Sequence, residues 1–156
     1  MFRNKLINLF IFFIFTPVFI HSDNQSAYQE YQFAKKLFQE KLYSQAALQF
    51  QNFVISNPDH YQADSASFLI GYSYYLDKKF NESISFFHRF QLLYPNSELL
   101  AEVQYYLGIN YFNLNETKKA IDILMEIHKK HPLSPYSEKA VYQAFKSVTA
   151  PTVLKT

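Results

Sequence analysis

Four aromatic residues recur at one interval along the chain: Tyr31, Phe68, Tyr105 and Tyr142, each 37 positions after the last. Such rings offer apolar contact area, and a tyrosine hydroxyl adds a hydrogen bond that survives at a wet surface. This is chemistry for gripping a peptide. Bond-breaking chemistry finds little support elsewhere. His128 and His131 stand three apart near a helix end, a spacing that could hold a metal, but no cluster of carboxylates or further histidines completes a shell. Their place is explained by the favourable meeting of basic side chains with a helix C-terminus. His60 and His88 are isolated. No G-x-S-x-G elbow accompanies the many serines, and a chain with only two glycines has no glycine-rich phosphate loop. The absence of cysteine removes disulfides, thiolate metal sites, a cysteine nucleophile and lipid attachment at an N-terminal cysteine. No catalytic residue, metal or cofactor is expected.

The interval of 37 governs much more than these rings. Pro58, Pro95 and Pro132 obey it, as do Gly71 and Gly108, with Ala34 one period earlier. Further columns are Leu37, Tyr74 and Tyr111; Ala46, Ser83 and Ala120; Phe50, Phe87 and Leu124; and Phe53, Phe90 and Ile127. Each period holds two patterns with apolar residues three and four apart, as in "AEVQYYLGINYFNL" and "TKKAIDILMEIHKKH". The second pattern stops before a proline, which cannot continue a helix interior and biases its predecessor toward extended geometry. Short polar turns, "EKLYS", "DKKFN" and "NLNET", lie between the two. The unit is a helical hairpin, present three times over about 27–60, 64–97 and 101–134. A capping helix over 135–148 and a frayed tail over 149–156 follow.

A glycine inside a helix costs about 1 kcal/mol relative to alanine, so two at equivalent places need a reason. The spacing predicts close approach within each hairpin. Ala34, Gly71 and Gly108 on the first helix, with Ala46, Ser83 and Ala120 on the second, leave room that Phe50, Phe87 and Leu124 fill. Phe145 takes the glycine place in the last helix, where no partner helix follows. Three N-x-S/T sequons begin at Asn24, Asn81 and Asn115. Because Ser83 is expected inside a hairpin, turn and cap chemistry explains them better than glycosylation.

At 156 residues the chain is one domain, with 17 Phe and 13 Tyr, too much ring surface for disorder. Arg3 and Lys5 account for two of its 15 basic residues, and the other 13 balance 13 acidic ones, so nucleic acid is not an expected partner. Those two cations precede "LINLFIFFIFTPVFI", an apolar run of 15 residues interrupted by Asn8 and Pro17. It is short for a spanning helix and fits a signal peptide over residues 1–22, cut after Ser22. Uncut, it would anchor the chain to a membrane.

The small residues at 34, 71 and 108, the Leu or Tyr three further on, the small residue opening each second helix, the large apolar residue four later and the closing proline resemble the tetratricopeptide repeat. The resemblance covers residues 27–148. It departs from the family in a unit longer than the usual length of about 34, the excess following each proline, and in Glu30, Ser67 and Gln104 where an early tryptophan is usual. The lengthened unit is similar to bacterial envelope members: the C-terminal repeat domain of Tol-Pal-associated periplasmic proteins, whose coiled-coil segment is absent here, and the outer-membrane assembly lipoproteins. The resemblance implies an all-α right-handed superhelix of three hairpins and a cap, with a concave groove lined by the first helices. Tyr28, Lys35, Tyr72, Tyr75, Ile109, Phe112, Asn113, Lys139 and Lys146 correspond to groove-lining places, beside the column Tyr31, Phe68, Tyr105 and Tyr142.

The expected function is non-catalytic: an exported, periplasmic scaffold holding a protein or peptide partner in that groove, in Tol-Pal or outer-membrane assembly or maintenance. Lys35, Lys139 and Lys146 would favour an acidic partner or a chain-terminal carboxylate, and no small-molecule substrate is expected. The rings have a competing use, packing first helix on first helix, which suits Phe68 and Phe112 better than the tyrosines. Two other functions compete, a structural module self-associating through its end helices and an accessory subunit presenting substrate to a separate enzyme.

Overall fold

The computed structural model describes residues 25–149, and these form seven α-helices with no strand among them. Helix α1 covers residues 25–39. It is followed by α2 (Tyr43–Ser56), α3 (Ala63–Leu76), α4 (Phe80–Leu93), α5 (Leu100–Asn113), α6 (Thr117–Lys130) and α7 (Pro135–Thr149). Helices α3 and α4, and then α5 and α6, form hairpins in which each second helix also packs on the next first helix. The expected signal segment and most of the expected tail lie outside the described residues.

The glycines stand where close approach demands them. Both are buried. A Cβ added to Gly71 would lie 2.6 Å from the Phe87 ring, and one added to Gly108 would lie 2.7 Å from the Leu124 side chain. Phe87 and Leu124 are themselves fully buried, as are Phe50, Phe53, Phe90 and Ile127. Three overlapping apolar clusters run along the stack, from α1–α3 through α3–α6 to α5–α7.

The turns repeat as faithfully as the helices. Within the hairpins, Lys41, Lys78 and Asn115 take positive φ of 62°, 59° and 63°. Around Lys78, the Lys78 N–H donates to the Tyr75 carbonyl and the Lys79 N–H to the Tyr74 carbonyl at 2.9 Å, which satisfies two carbonyls at the end of α3. This left-handed place usually takes glycine, because a side chain there costs about 1–2 kcal/mol. Two of the three sites carry lysine. Lys78→Gly is expected to stabilise the fold by about 0.5–1 kcal/mol after the added freedom of the unfolded chain is counted. The gain at Asn115 should be smaller, since asparagine tolerates this conformation. Thermal melts of the two variants check the ranking.

The residues after each proline form two successive turns. His60 N–H donates to Asn57 O and Ala63 N–H to His60 O, and the same bonds recur at 94, 97 and 100 and at 131, 134 and 137. Pro135 opens α7, a place where its missing N–H would have no partner anyway.

Candidate functional site

Which side of the stack faces inward follows from which helices meet. First helix α3 touches α5, and α5 touches α7. Second helices α2 and α4 stand apart over a hollow of about 30 Å³ lined by Val54, Ile70, Phe86 and Phe90. The side on which successive helices approach is the inner side of the curve, so α3, α5 and α7 line it.

That side carries a continuous strip of rings. From α1 to α3, Phe38 meets Tyr72 at 5.9 Å between ring centres. From α3 to α5, Tyr106 meets Tyr72 at 4.7 Å and Tyr75 at 5.2 Å. From α5 to α7, Tyr136 meets Tyr105 at 5.3 Å and Tyr106 at 6.4 Å. Tyr72 stacks on Phe68 at 5.6 Å and on Tyr75 at 5.9 Å. All five tyrosines of the strip are half-buried. Each ring is therefore gripped from the side while part of it meets solvent.

The electrostatics follow from that half-burial. Desolvation raises the pKa of Tyr75, Tyr105, Tyr106 and Tyr136 above the ordinary tyrosine value of 10.0. At Tyr106 the neighbouring Tyr72 hydroxyl adds to the rise, and at Tyr136 the Glu102 carboxylate does so, accepting its hydroxyl hydrogen bond. These groups stay protonated donors at any ordinary pH. For an acid with a raised folded pKa, the stabilising contribution is complete below the unfolded pKa of about 10 and is lost as pH rises through the folded value. The fold is thus expected to weaken progressively above pH ~10. Absorbance titration of tyrosinate alongside circular dichroism checks this: ionisation of every tyrosine by about pH 11 without loss of helix would contradict it.

The thirteen residues expected at the groove separate into groups. Tyr72, Tyr75 and Tyr105 lie in the strip. Ile109 and Phe112 are half-buried on α5, with Phe112 wedged between the second and third apolar clusters. Tyr28, Lys35 and Asn113 are exposed, Asn113 donating to the Ile109 carbonyl at 2.8 Å. Lys139 is exposed and its ammonium lies 4.7 Å from the Tyr136 ring centre, at one end of the strip. Lys146 is exposed on α7.

The ring column itself does not act as one ladder. Tyr31 is 7% exposed and packs on Phe50 and Phe53 at 5.7 and 5.4 Å, and Phe68 is 8% exposed. These two are core residues, a correction with a plain cause: their helices have a second helix and a following hairpin to cover them. Tyr142 is 68% exposed and lines a recess with His128, Glu138 and Val141, none of which belongs to the strip. Conversely, Tyr106 and Tyr136 hold the strip together and were not among the expected residues. Tyr106 shares its column with Gln32 and Leu69, so no recurrence marks it.

His128, expected to be a helix-end residue, bonds through Nδ1 with the Ser137 hydroxyl at 2.9 Å. Among the described residues no three His, Asp or Glu side chains are grouped to hold a metal ion. Ser83 does not cap a turn: it is fully buried and donates to the Gly71 carbonyl at 2.8 Å.

Residues 65–97 and 102–134 match the tetratricopeptide repeat family. These spans hold the second and third hairpins. Among solved structures, the second tetratricopeptide domain of human RPAP3, bound to the HSP70 peptide SGPTIEEVD, is similar with a TM-score of 0.65 at 14% identity, over 82% of this chain and 99% of that one. The Arabidopsis OM64 tetratricopeptide domain is similar at 0.64 and 10% identity, over 80% and 98%. The first such domain of Spaghetti (RPAP3), bound to the HSP90 peptide SRMEEVD, gives 0.63 and 14%, over 81% and 95%. Among curated proteins none matches the sequence.

Proposed function

We propose that this chain of tetratricopeptide repeats is a non-catalytic interaction scaffold that holds a peptide segment of a partner protein on the inner face of its first helices. The observation that carries this reading is the tyrosine strip from Tyr72 to Tyr136. Its rings are fixed by one another before any guest arrives, so binding costs little side-chain ordering. The RPAP3 and Spaghetti domains, which share the fold, were solved with short peptides bound, which supports the reading. Affinity capture tests it. Tyr75→Ala with Tyr105→Ala should abolish partner recovery while helix content stays intact; undiminished recovery would refute the reading.

The setting we propose is the bacterial periplasm, with a role in Tol-Pal or outer-membrane assembly or maintenance. Arg3 and Lys5 ahead of a 15-residue apolar run support export. Among the described residues no helix is long and apolar enough to cross a membrane. Sequencing of the mature N-terminus decides the matter, with Asp23 the expected first residue.

A second reading, self-association through the end helix, is favoured by one feature of α7. Tyr142 and Val148 are 68% and 69% exposed, although their counterparts on α5, Tyr105 and Tyr111, are half-buried and buried. Light scattering separates the readings: a monomer at tens of micromolar, roughly where such weak contacts would appear, removes this one.

A further inference from the structure

We propose that the segment held on this face is extended, uncharged and rich in proline rather than an acidic chain end; this rests on the scaffold reading above. Charge points first in this direction. Helices α3 and α5 carry no Lys or Arg, and their only ionisable acids are Asp64 and Glu102. Asp64 is engaged by Ser65 and by the Ser97 hydroxyl at 2.9 Å, and Glu102 by the Tyr136 hydroxyl. A carboxylate laid across the middle of the strip would lose water and meet no cation, an unfavourable exchange. The cations expected at the groove, Lys35, Lys139 and Lys146, lie on the first and last helices, and Lys139 stands over the Tyr136 ring at one end of the strip.

Hydrogen-bond supply points the same way. The hydroxyls of Tyr75 and Tyr105 make no hydrogen bond among the described residues, and burial keeps both protonated. The strip therefore offers donors, while its one carboxylate is occupied. A proline residue presents a carbonyl acceptor and no backbone donor. In the polyproline II conformation those carbonyls have no internal partner and face outward.

Shape agrees as well. The steps from Phe38 to Tyr72, Tyr106 and Tyr136, of 5.9, 4.7 and 6.4 Å, bound the strip at about 17 Å. Polyproline II rises about 3.1 Å per residue, so five or six residues span it. Ring-lined grooves recognise such segments because the guest is stiff before it binds, which offsets the absence of strong ionic contacts.

The experiment immobilises the full-length chain and passes over it a random library of peptides of about 12 residues, twice the span of the strip, with free C-termini. Captured peptides are read by mass spectrometry. Tyr106→Ala removes the central ring, and Tyr105→Phe removes only a donor, so the latter carries the test should the former not fold. The expected capture is enriched in proline and depleted in Asp and Glu. Tyr106→Ala should reduce it roughly tenfold or more, and Tyr105→Phe by a factor of roughly three to ten. Capture of peptides with acidic C-termini, lost in the variants, would overturn the proline assignment and leave the scaffold reading standing. Empty capture, or capture indifferent to both substitutions, would overturn both.

Discussion

Alanine at Gly71 lowers the stability of the fold by about 1–2 kcal/mol, although alanine is the better helix former by about 1 kcal/mol. The added Cβ would sit 2.6 Å from the Phe87 ring, and that ring is fully buried and cannot swing into solvent. Phe87→Ala alone is expected to cost about 3–5 kcal/mol, as ring removal from a closed core does. In that emptied background the sign at Gly71 reverses. There Gly71→Ala should stabilise by up to about 1 kcal/mol, because only helix propensity remains. Urea denaturation of the four proteins measures the coupling. A first hairpin that already holds Ala34 against Phe50, both fully buried, shows that the arrangement can be built for a Cβ. The second hairpin is built without one.

The next largest effect lies in a buried polar thread. Asn110 of α5 donates from Nδ2 to the Ser83 hydroxyl at 2.8 Å, and Ser83 donates to the Gly71 carbonyl at 2.8 Å. All three groups lie inside the stack, joining the second hairpin to the third, and Asn110 Oδ1 has no partner among the described residues. Ser83→Ala therefore strands the Asn110 amide and should cost about 2 kcal/mol. Asn110→Leu removes that amide and the unmet oxygen together while leaving Ser83 bonded to Gly71, so its effect should be near neutral. In the Asn110→Leu background, Ser83→Ala should fall to about 0.5–1 kcal/mol. Equal costs in both backgrounds would mean the thread is not coupled.

The hairpins, their glycine-to-large-residue contacts and the proline junctions were legible because each is a short-range rule repeated in register. Gly71 and Phe87, or Gly108 and Leu124, are 16 residues apart in both hairpins, so one geometry explains both. The strip was only partly legible, and for a physical reason. Residues that recur in every repeat do the same work in each, which is mostly core work, and the rings of Tyr31 and Phe68 are buried accordingly. A partner face depends on what differs between repeats. Tyr106 has no ring in its column, and Tyr136 sits in the junction after Pro132, where α7 begins. Nothing in an exposed lysine signals the left-handed backbone that Lys41 and Lys78 adopt.

Hydroxyl-radical footprinting of the chain with and without its captured partner reads the tyrosine strip itself, because oxidation of a ring follows its contact with water. Oxidation of Tyr75, Tyr105 and Tyr106 should slow in the complex. Tyr61, 77% exposed on the turn before α3, should react at an unchanged rate. Protection confined to Tyr142 or Tyr61, with the strip oxidised as before, would contradict it.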